Sequence, residues 1–383
     1  HVLPPRKKRR RGRSAIRLVV RLVVVAVFVA GIFLVYKNWD AIAPESLVIW
    51  MEEKLSGGQK GDGFPVAVAG SEVLDMAETQ DGLALLTDTA YVVYNANGGE
   101  VLRRPHGYSS PILKTAGKYA LIAEAEGTRL RLETRSSTAA ELTMENKIIS
   151  AAVGKNGSFA VATESSQGYT TEIIVYTSKK KELFHWYGLD LTILDVALSP
   201  DGKYLAVVGV TADAGAMRSS VLVFDMGKTE PVVRVDDTDI LLCAVGFFSN
   251  GAVAAVGDTG IWVVSENGSI QQKQGYDGKE LVGFAVGEKN ATVVLRDYGK
   301  TEGGDLLAVN PNGDAAYSIP YEGAYRNIAP SDSGAVLLTS DHLYTTGAGG
   351  LEETKTAPRD GRMVCPLGHK EIVLGLTTLS EVK

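Results

Sequence analysis

The sequence predicts an all-β fold. We expect a β-propeller of seven to eight four-stranded blades, with eight favoured, preceded by one N-terminal transmembrane helix and a short amphipathic helix. Two observations predict this architecture. A polar turn followed by a short apolar strand recurs along most of the chain, at a spacing typical of propeller blades. An uncharged apolar run near the N-terminus is long enough to cross a bilayer.

Residues 1–17 form a predicted cytoplasmic tail with concentrated positive charge. They contain no acidic residue and these basic ones: Arg6, Lys7, Lys8, Arg9, Arg10, Arg11, Arg13 and Arg17. Directly before an apolar run, such a block favours a topology signal over a nucleic-acid-binding or nuclear-targeting patch. From Lys37 onward, 30 Lys and Arg stand against 45 Asp and Glu, a net charge of −15. An acidic body of this kind argues against nucleic-acid binding.

Residues 18–36 are the predicted transmembrane helix, which makes the lipid bilayer a partner of the chain. These residues span about 28 Å as a helix, and only Arg21 among them is charged. The residues expected to mark the two interfaces are Arg9, Arg10, Arg11, Arg13, Arg17 and Arg21 inside, and Tyr36 and Trp39 outside. A cleaved secretory signal peptide is the alternative. It is disfavoured because no small-x-small cleavage pattern follows the apolar run.

Residues 37–63 are predicted to form a juxtamembrane amphipathic helix and a Gly-rich linker. Pro44 suits a first helical position. Leu47, Trp50, Met51 and Leu55 recur at helical spacing and form one apolar stripe. This stripe packs on the folded domain, lies on the outer membrane face or pairs with a partner helix, and the sequence leaves these alternatives open.

Residues 64–383 are the predicted extracytoplasmic propeller, because one pattern recurs there eight times. Each copy is a polar turn, often Asp-Gly or Asn-Gly, followed by a short apolar strand, and the copies lie about 35 to 49 residues apart. The turn residues that mark them most clearly are Gly82, Gly117, Gly157, Asp201, Gly202, Gly251 and Gly334. Two further copies begin at Glu288 and His369, where the turn has no glycine at the matching position.

The segments after these strands predict the outer half of each blade. They read as hairpins with tight polar turns, as in YVVYNANGGEVLRR from Tyr91 and LLAVNPNGDAAYSI from Leu306. The last unit is too short for a fourth strand, whereas residues 64–70 (FPVAVAG) form a spare strand. Pairing this strand with the last unit would close the ring and remove two exposed sheet edges. We therefore expect a three-plus-one closure.

The segment from Leu198 to Val207, LSPDGKYLAV, resembles the blade signature of WD40-like propellers. The hairpins resemble those of pyrroloquinoline-quinone-type propellers, but only Trp186 and Trp262 lie in the propeller, so we expect no cofactor. The whole chain, from the basic tail to Gly61-Asp62-Gly63-Phe64-Pro65, resembles an uncharacterised family of membrane-anchored propeller proteins from Gram-positive bacteria, a domain of unknown function (5711 family). That resemblance implies the architecture and no activity or site residues.

No catalytic or metal-binding signature stands out in the sequence. It contains no G-x-S-x-G, H-E-x-x-H, C-x-x-C or P-loop motif. The propeller histidines, spread over four repeats, are His106, His185, His342 and His369. They could meet at the axis, but their spacing favours no metal site. The densest acidic cluster, Asp236-Asp237-Thr238-Asp239, suits either a calcium site or a solvated loop, and we favour the loop.

Aromatic residues near predicted loops and strand ends are candidates for stacking on a sugar or anchoring a peptide. They are Tyr169, Trp186, Tyr187, Tyr276, Tyr298, Tyr321 and Tyr325. Ordinary packing between blades is the alternative that we favour for each. Cys243 and Cys365 sit in apolar strand-like runs of separate repeats, where we expect small hydrophobic side chains and no disulfide.

These observations together predict a single-pass cell-membrane protein whose C-terminal propeller is extracytoplasmic. We expect a non-catalytic binding or scaffolding module at the cell envelope, with a protein or glycan partner. The alternative is an envelope glycan hydrolase or lyase with carboxylates at the propeller axis. A third possibility is signalling through the basic tail. The sequence does not identify the ligand, the functional face or the oligomeric state.

Overall fold

The computed structural model describes residues 61–68, 70–213, 215–268 and 271–383. The predicted transmembrane helix at 18–36, the amphipathic helix at 44–55 and the topology residues from Arg9 to Trp39 lie outside these ranges. Within them, no helix is long and apolar enough to cross a membrane.

The described residues form eight four-stranded antiparallel sheets, which are the blades of a β-propeller. Blade 1 consists of β2 (Val73–Thr79), β3 (Gly82–Thr87), β4 (Ala90–Tyr94) and β5 (Glu100–Pro105), and blade 2 of β6 (Pro111–Ala116), β7 (Tyr119–Glu124), β8 (Arg129–Glu133) and β9 (Thr138–Thr143). Blade 3 consists of β10 (Ile148–Val153), β11 (Phe159–Glu164), β12 (Thr171–Tyr176) and β13 (Glu182–Gly188). Blade 4 consists of β14 (Thr192–Leu198), β15 (Tyr204–Asp213), β16 (Ala216–Asp225) and β17 (Val233–Asp237).

Blades 5 to 8 complete the ring, so the favoured prediction of eight blades is confirmed. Blade 5 consists of β18 (Leu242–Phe247), β19 (Val253–Gly257), β20 (Gly260–Val264) and β21 (Gln271–Gly275), and blade 6 of β22 (Glu280–Val286), β23 (Ala291–Arg296), β24 (Gly304–Val309) and β25 (Ala315–Tyr321). Blade 7 consists of β26 (Tyr325–Pro330), β27 (Ala335–Thr339), β28 (His342–Gly347) and β29 (Gly350–Thr356). Blade 8 consists of β30 (Met363–Leu367), β31 (Lys370–Leu374) and β32 (Thr378–Val382), with β1 (Val66–Ala67) as its outermost strand.

Blade 8 joins the two ends of the propeller. Its first three strands come from the C-terminal segment, and β1 pairs antiparallel with β32, Val66 opposite Leu379 and Ala67 opposite Thr378. Val68 N extends the pairing by donating to Thr377 O at 2.8 Å. This three-plus-one arrangement agrees with the predicted closure and gives each terminal strand a partner.

The second and third strands of the blades carry the core. β3 and β4 of blade 1, for example, are buried at every position, because neighbouring blades cover both faces of the sheet. Outer strands such as β29 are mostly exposed. Apolar clusters therefore lie between adjacent blades, as where Phe184 and Trp186 of blade 3 pack on Phe224 of blade 4.

Successive antiparallel strands divide the connections between two faces. The turn face carries the links from first to second and from third to fourth strands, including all the marked repeat residues: Gly82, Gly117, Gly157, Asp201, Gly202, Gly251 and Gly334. At Gly157 the backbone has φ +80°, and a Cβ would lie 2.5 Å from the Tyr119 ring of blade 2. The loop face carries the remaining links. Because β1 runs from the turn face to the loop face, the chain enters the propeller on the turn face.

Bulges interrupt six of the eight described innermost strand pairs, at matching positions. The register shifts by one residue in β2, β10, β14, β18, β22 and β26. A bulge re-aims the side chains around it. Cys243 lies at the bulge of β18 and is exposed, contrary to the expectation of a packed apolar side chain, whereas Cys365 is buried. Both cysteines are free.

Candidate functional site

A central channel of about 610 Å³ runs between the innermost strands of all eight blades. Most of the residues that line it are apolar. Among the described residues, the polar side chains that line it are Asp75, Lys114, Thr115, Asp195 and Asn327. Two carboxylates and one ammonium group therefore line the channel, and a glycan hydrolase or lyase at the axis would require carboxylates there.

Asp195 of blade 4 is held by residues of three other blades. Its Oδ1 accepts a hydrogen bond from Ser150 Oγ of blade 3 at 2.8 Å, and its Oδ2 accepts one from Val245 N of blade 5 at 3.1 Å. Lys114 Nζ of blade 2 lies 3.8 Å from Oδ1. Asn327 has a similar position, since its Oδ1 accepts a hydrogen bond from Val364 N of blade 8 at 3.0 Å. Both side chains fasten blades together around the axis.

Asp75 is the other channel carboxylate. Its Oδ1 accepts a hydrogen bond from Met76 N at 2.8 Å. Water reaches the side chain within the channel, yet protein surrounds the channel on every side. Burial therefore raises the pKa of Asp75, against the opposing effects of the Met76 hydrogen bond and the Lys114 charge.

The propeller histidines do not meet at the axis. His106 Nε2 lies 3.0 Å from Thr87 O in blade 1, His342 packs beside Tyr344 in blade 7, and His369 lies at a turn of blade 8. His185 lies in the outer strand of blade 3. No group of three or more His, Cys, Asp or Glu side chains in the described part of the chain could hold a metal ion.

The acidic cluster at Asp236–Asp239 is tied to its own surroundings. Asp236 Oδ1 accepts hydrogen bonds from Ser220 Oγ at 2.5 Å and Arg234 Nε at 3.0 Å. Asp237 Oδ2 accepts hydrogen bonds from Lys273 Nζ at 2.9 Å and Trp262 Nε1 at 3.2 Å. The contacts of Asp236 lie within blade 4 and those of Asp237 link blades 4 and 5, so both carboxylates have a structural role.

Two of the candidate aromatic residues are in contact, and one of them, Tyr187, lines a groove between blades 2 and 3. Tyr187 stacks against Tyr169, with 4.8 Å between ring centroids, and against His185 at 4.6 Å. The other candidates lie elsewhere: Trp186 packs on Phe224, Tyr276 and Tyr321 are buried, Tyr325 is half-buried, and Tyr298 stands alone with 74% of its surface exposed.

The groove between blades 2 and 3, here called the Tyr187 groove, has a volume of about 400 Å³. Blade 2 contributes the end of β9 and the following connection, with Glu145 and Asn146. Blade 3 contributes Glu172, His185 and Tyr187, which project from one face of its sheet. His185 Nε2 donates to Glu172 Oε1 at 2.6 Å, and His185 Nδ1 lies 3.4 Å from Glu182 Oε1.

Partial burial and the neighbouring carboxylates of Glu172 and Glu182 raise the pKa of Tyr187, so its hydroxyl stays protonated at neutral pH. The groove thus combines an aromatic column with fixed donors and acceptors, which is the usual make-up of a small-ligand site.

The hydrogen bond between Glu172 and His185 was not predicted from the sequence. They are separated along the chain and meet only because β12 and β13 pair with Glu172 opposite Tyr187 and Ile174 opposite His185. The alternation in EIIVYTSKKKELFHWY would have revealed this shared face once the hairpin register was known.

A basic pocket on the loop face was also missed. It has a volume of about 370 Å³ and is lined by Arg326, Arg359 and Arg362 together with one acidic residue, Asp360. Arg326 Nη1 donates to Arg359 O at 2.9 Å and to Gly361 O at 2.5 Å. Those bonds commit its guanidinium to holding the connection between blades 7 and 8.

Two comparisons with known proteins bear on the identity of the chain. A search of the curated proteins found no match. The model of a family of unknown function (DUF5711) matches residues 68–371, from the start of the first blade to the second strand of the last. Because the match covers well over half of the sequence, the chain belongs to the DUF5711 family.

Proposed function

We propose that the chain is a membrane-anchored extracytoplasmic propeller that binds a protein or glycan at the cell envelope without transforming it. The β-propeller fold is that of a binding or scaffold module. The basic tail and the apolar run at 18–36 support a tether in the membrane. The described part of the chain enters the propeller at its turn face.

The Tyr187 groove is the observation that carries the proposal. It is a concave site with stacked aromatic rings, and its polar side chains are held in place by hydrogen bonds within blade 3. It also opens beside the loop 165–170, which belongs to the loop face.

Co-sedimentation with a purified envelope fraction tests the binding role. The full chain in detergent should sediment with the envelope, and Tyr187→Ala should largely abolish this. Tyr298→Ala is the matched control, because it removes an exposed tyrosine from a loop of the same face but far from the groove. Equal sedimentation of both variants would overturn the assignment of the groove as the ligand site.

Thiol labelling tests the proposed topology. In a Cys243→Ala background, a membrane-impermeant maleimide should label Tyr298→Cys in intact cells. Ser14→Cys, in the predicted cytoplasmic tail, should react only after permeabilisation. Labelling of the two sites in the reverse order would contradict an extracytoplasmic propeller.

The second candidate is a glycan hydrolase or lyase at the axis, favoured by the raised pKa of Asp75 in a channel shared with Asp195. Against it, Asp195 is already engaged by Ser150, Val245 and Lys114. Release of soluble saccharide from envelope material, lost in Asp75→Asn, would establish the enzymatic function instead.

A further inference from the structure

We infer that the ligand of the Tyr187 groove is a saccharide without acidic groups. The inference rests on the proposed binding function and names the chemical class of its ligand.

The aromatic column supplies a stacking surface. Tyr187 lies between Tyr169 and His185 in ring-to-ring contact, which fixes all three rings. Both faces of the Tyr187 ring are therefore covered, and the exposed ring of the column is that of Tyr169, with 37% of its surface accessible. A flat, rigid aromatic surface suits the C–H face of a pyranose ring, because contact with it orders few side-chain torsions.

The polar lining suits hydroxyl groups. Glu172 and His185 are linked at 2.6 Å and only 13% and 28% exposed, so they present oxygen and nitrogen atoms at defined positions. Asn146 and Gln167 add amide groups that both donate and accept hydrogen bonds. A sugar offers neighbouring hydroxyls that pair with such planar groups.

The charge of the groove excludes anionic sugars. Glu145 and Glu172 line it, Glu182 lies 3.4 Å from His185, and no lysine or arginine is among the described lining residues. A uronic acid or a sugar phosphate would bring like charges together without a lysine or arginine to offset them. An uncharged or amine-bearing saccharide avoids this repulsion.

The geometry disfavours an extended peptide. The wall of the groove is the face of the blade 3 sheet, from which Glu172, Ile174, His185 and Tyr187 project. A peptide that adds to a sheet needs a free strand edge, and one that docks by side chains needs a deep apolar pocket. The polar lining of the groove offers neither.

Titration calorimetry on the full chain in detergent tests the inference with defined probes. These are chitotetraose (uncharged), the glucosamine tetramer (cationic), oligogalacturonate (anionic) and a lysine-rich peptide. The chain should bind chitotetraose and the glucosamine tetramer, and oligogalacturonate at least about tenfold more weakly. Tyr187→Ala should weaken binding of the saccharides by about tenfold or more, whereas Tyr187→Phe and the control Tyr298→Ala should leave it nearly unchanged.

Glu172→Gln tests the charge argument separately, because glutamine keeps an oxygen that can accept from His185. It should improve the relative binding of oligogalacturonate. Absence of saccharide binding, or saccharide binding unaffected by Tyr187→Ala, would overturn the inference, as would Tyr187-dependent binding of the peptide alone. Loss of saccharide binding with intact, Tyr187-dependent envelope sedimentation would refute the ligand class and leave the binding function standing.

Discussion

At the scale of single residues, a substitution of Glu133 is the clearest test of the packing between blades. It is fully buried, with its carboxylate between Arg104 of blade 1 and Arg131 of its own blade 2. Thr138 Oγ1 also donates to it at 2.9 Å. Its charge is therefore the counterion of two partly buried guanidinium groups.

Glu133→Gln should lower the free energy of unfolding by about 3 kcal/mol, because it leaves that buried positive charge uncompensated. Glu100→Gln is the matched control, since Glu100 pairs with Arg103 in an exposed position and should cost less than about 1 kcal/mol. Chemical denaturation of both variants measures the difference, and equal effects would contradict the structural role of Glu133.

The raised pKa of Asp75 predicts that this residue changes the stability of the protein with pH in the direction opposite to that of most carboxylates. Its pKa in the folded protein lies above the ordinary value of 3.8, so the folded state holds the proton more tightly than the unfolded state does. Stability is therefore lost as the pH rises from about 3.8 through the folded pKa. Asp75→Asn should be more stable than the parent at pH ~7, and this gain should shrink on acidification.

Asp201→Asn serves as a control of opposite sign. Hydrogen bonds from Lys203 and Ser199 lower the pKa of Asp201, so its contribution is present at neutral pH and is lost as the pH falls. Thermal unfolding of both variants across pH distinguishes the two effects. An Asp75→Asn variant that is less stable than the parent at neutral pH would show that the channel stabilises the ionised carboxylate.

At the scale of elements, the pairing of β1 with β32 closes the ring of blades. Gly98 lies in the hairpin turn between β4 and β5, with φ +73°. A Cβ there would lie 2.6 Å from Val66 Cγ2 and 2.9 Å from Gly63 O. The residues that lead into β1 therefore pack closely on blade 1 while β1 itself pairs within blade 8.

Gly98→Ala should destabilise the protein by about 1–3 kcal/mol more than Gly168→Ala does. The two glycines share a positive φ, +73° and +82°, but nothing lies within 4 Å of a Cβ at Gly168. The comparison thus isolates the contact with β1 from backbone strain. Thermal unfolding provides the measurement, and equal losses would show that β1 does not rest on blade 1.

Individual elements also show which features the sequence could predict. The turn before each second strand and the third-to-fourth-strand hairpins were predictable, because a polar turn and an apolar strand leave local signals. The spare strand was predictable from the short last unit. The bulges of the innermost strands had no such signal, and they help to place Asp75 and Asp195 in the channel.

At the scale of the whole molecule, the eight copies of the repeat favoured eight blades over seven, because each blade is one supersecondary unit of similar length. The Tyr187 groove could not be predicted in the same way. It needs the register between β12 and β13 together with the approach of the blade 2 connection. Tyr169 and Tyr187 were identified only as members of a larger aromatic set, and Glu172 was not identified at all.

Ligand binding in the groove between blades 2 and 3, with a structural role for the polar residues of the channel, is the central claim. A crystal structure of the chain grown with chitotetraose tests this most directly. We predict a sugar ring stacked on Tyr169, whose ring Tyr187 supports from behind, with the sugar hydroxyls hydrogen-bonded to Glu172 and Asn146. A saccharide bound in the central channel beside Asp75 and Asp195 would contradict the account and move the functional site to the axis.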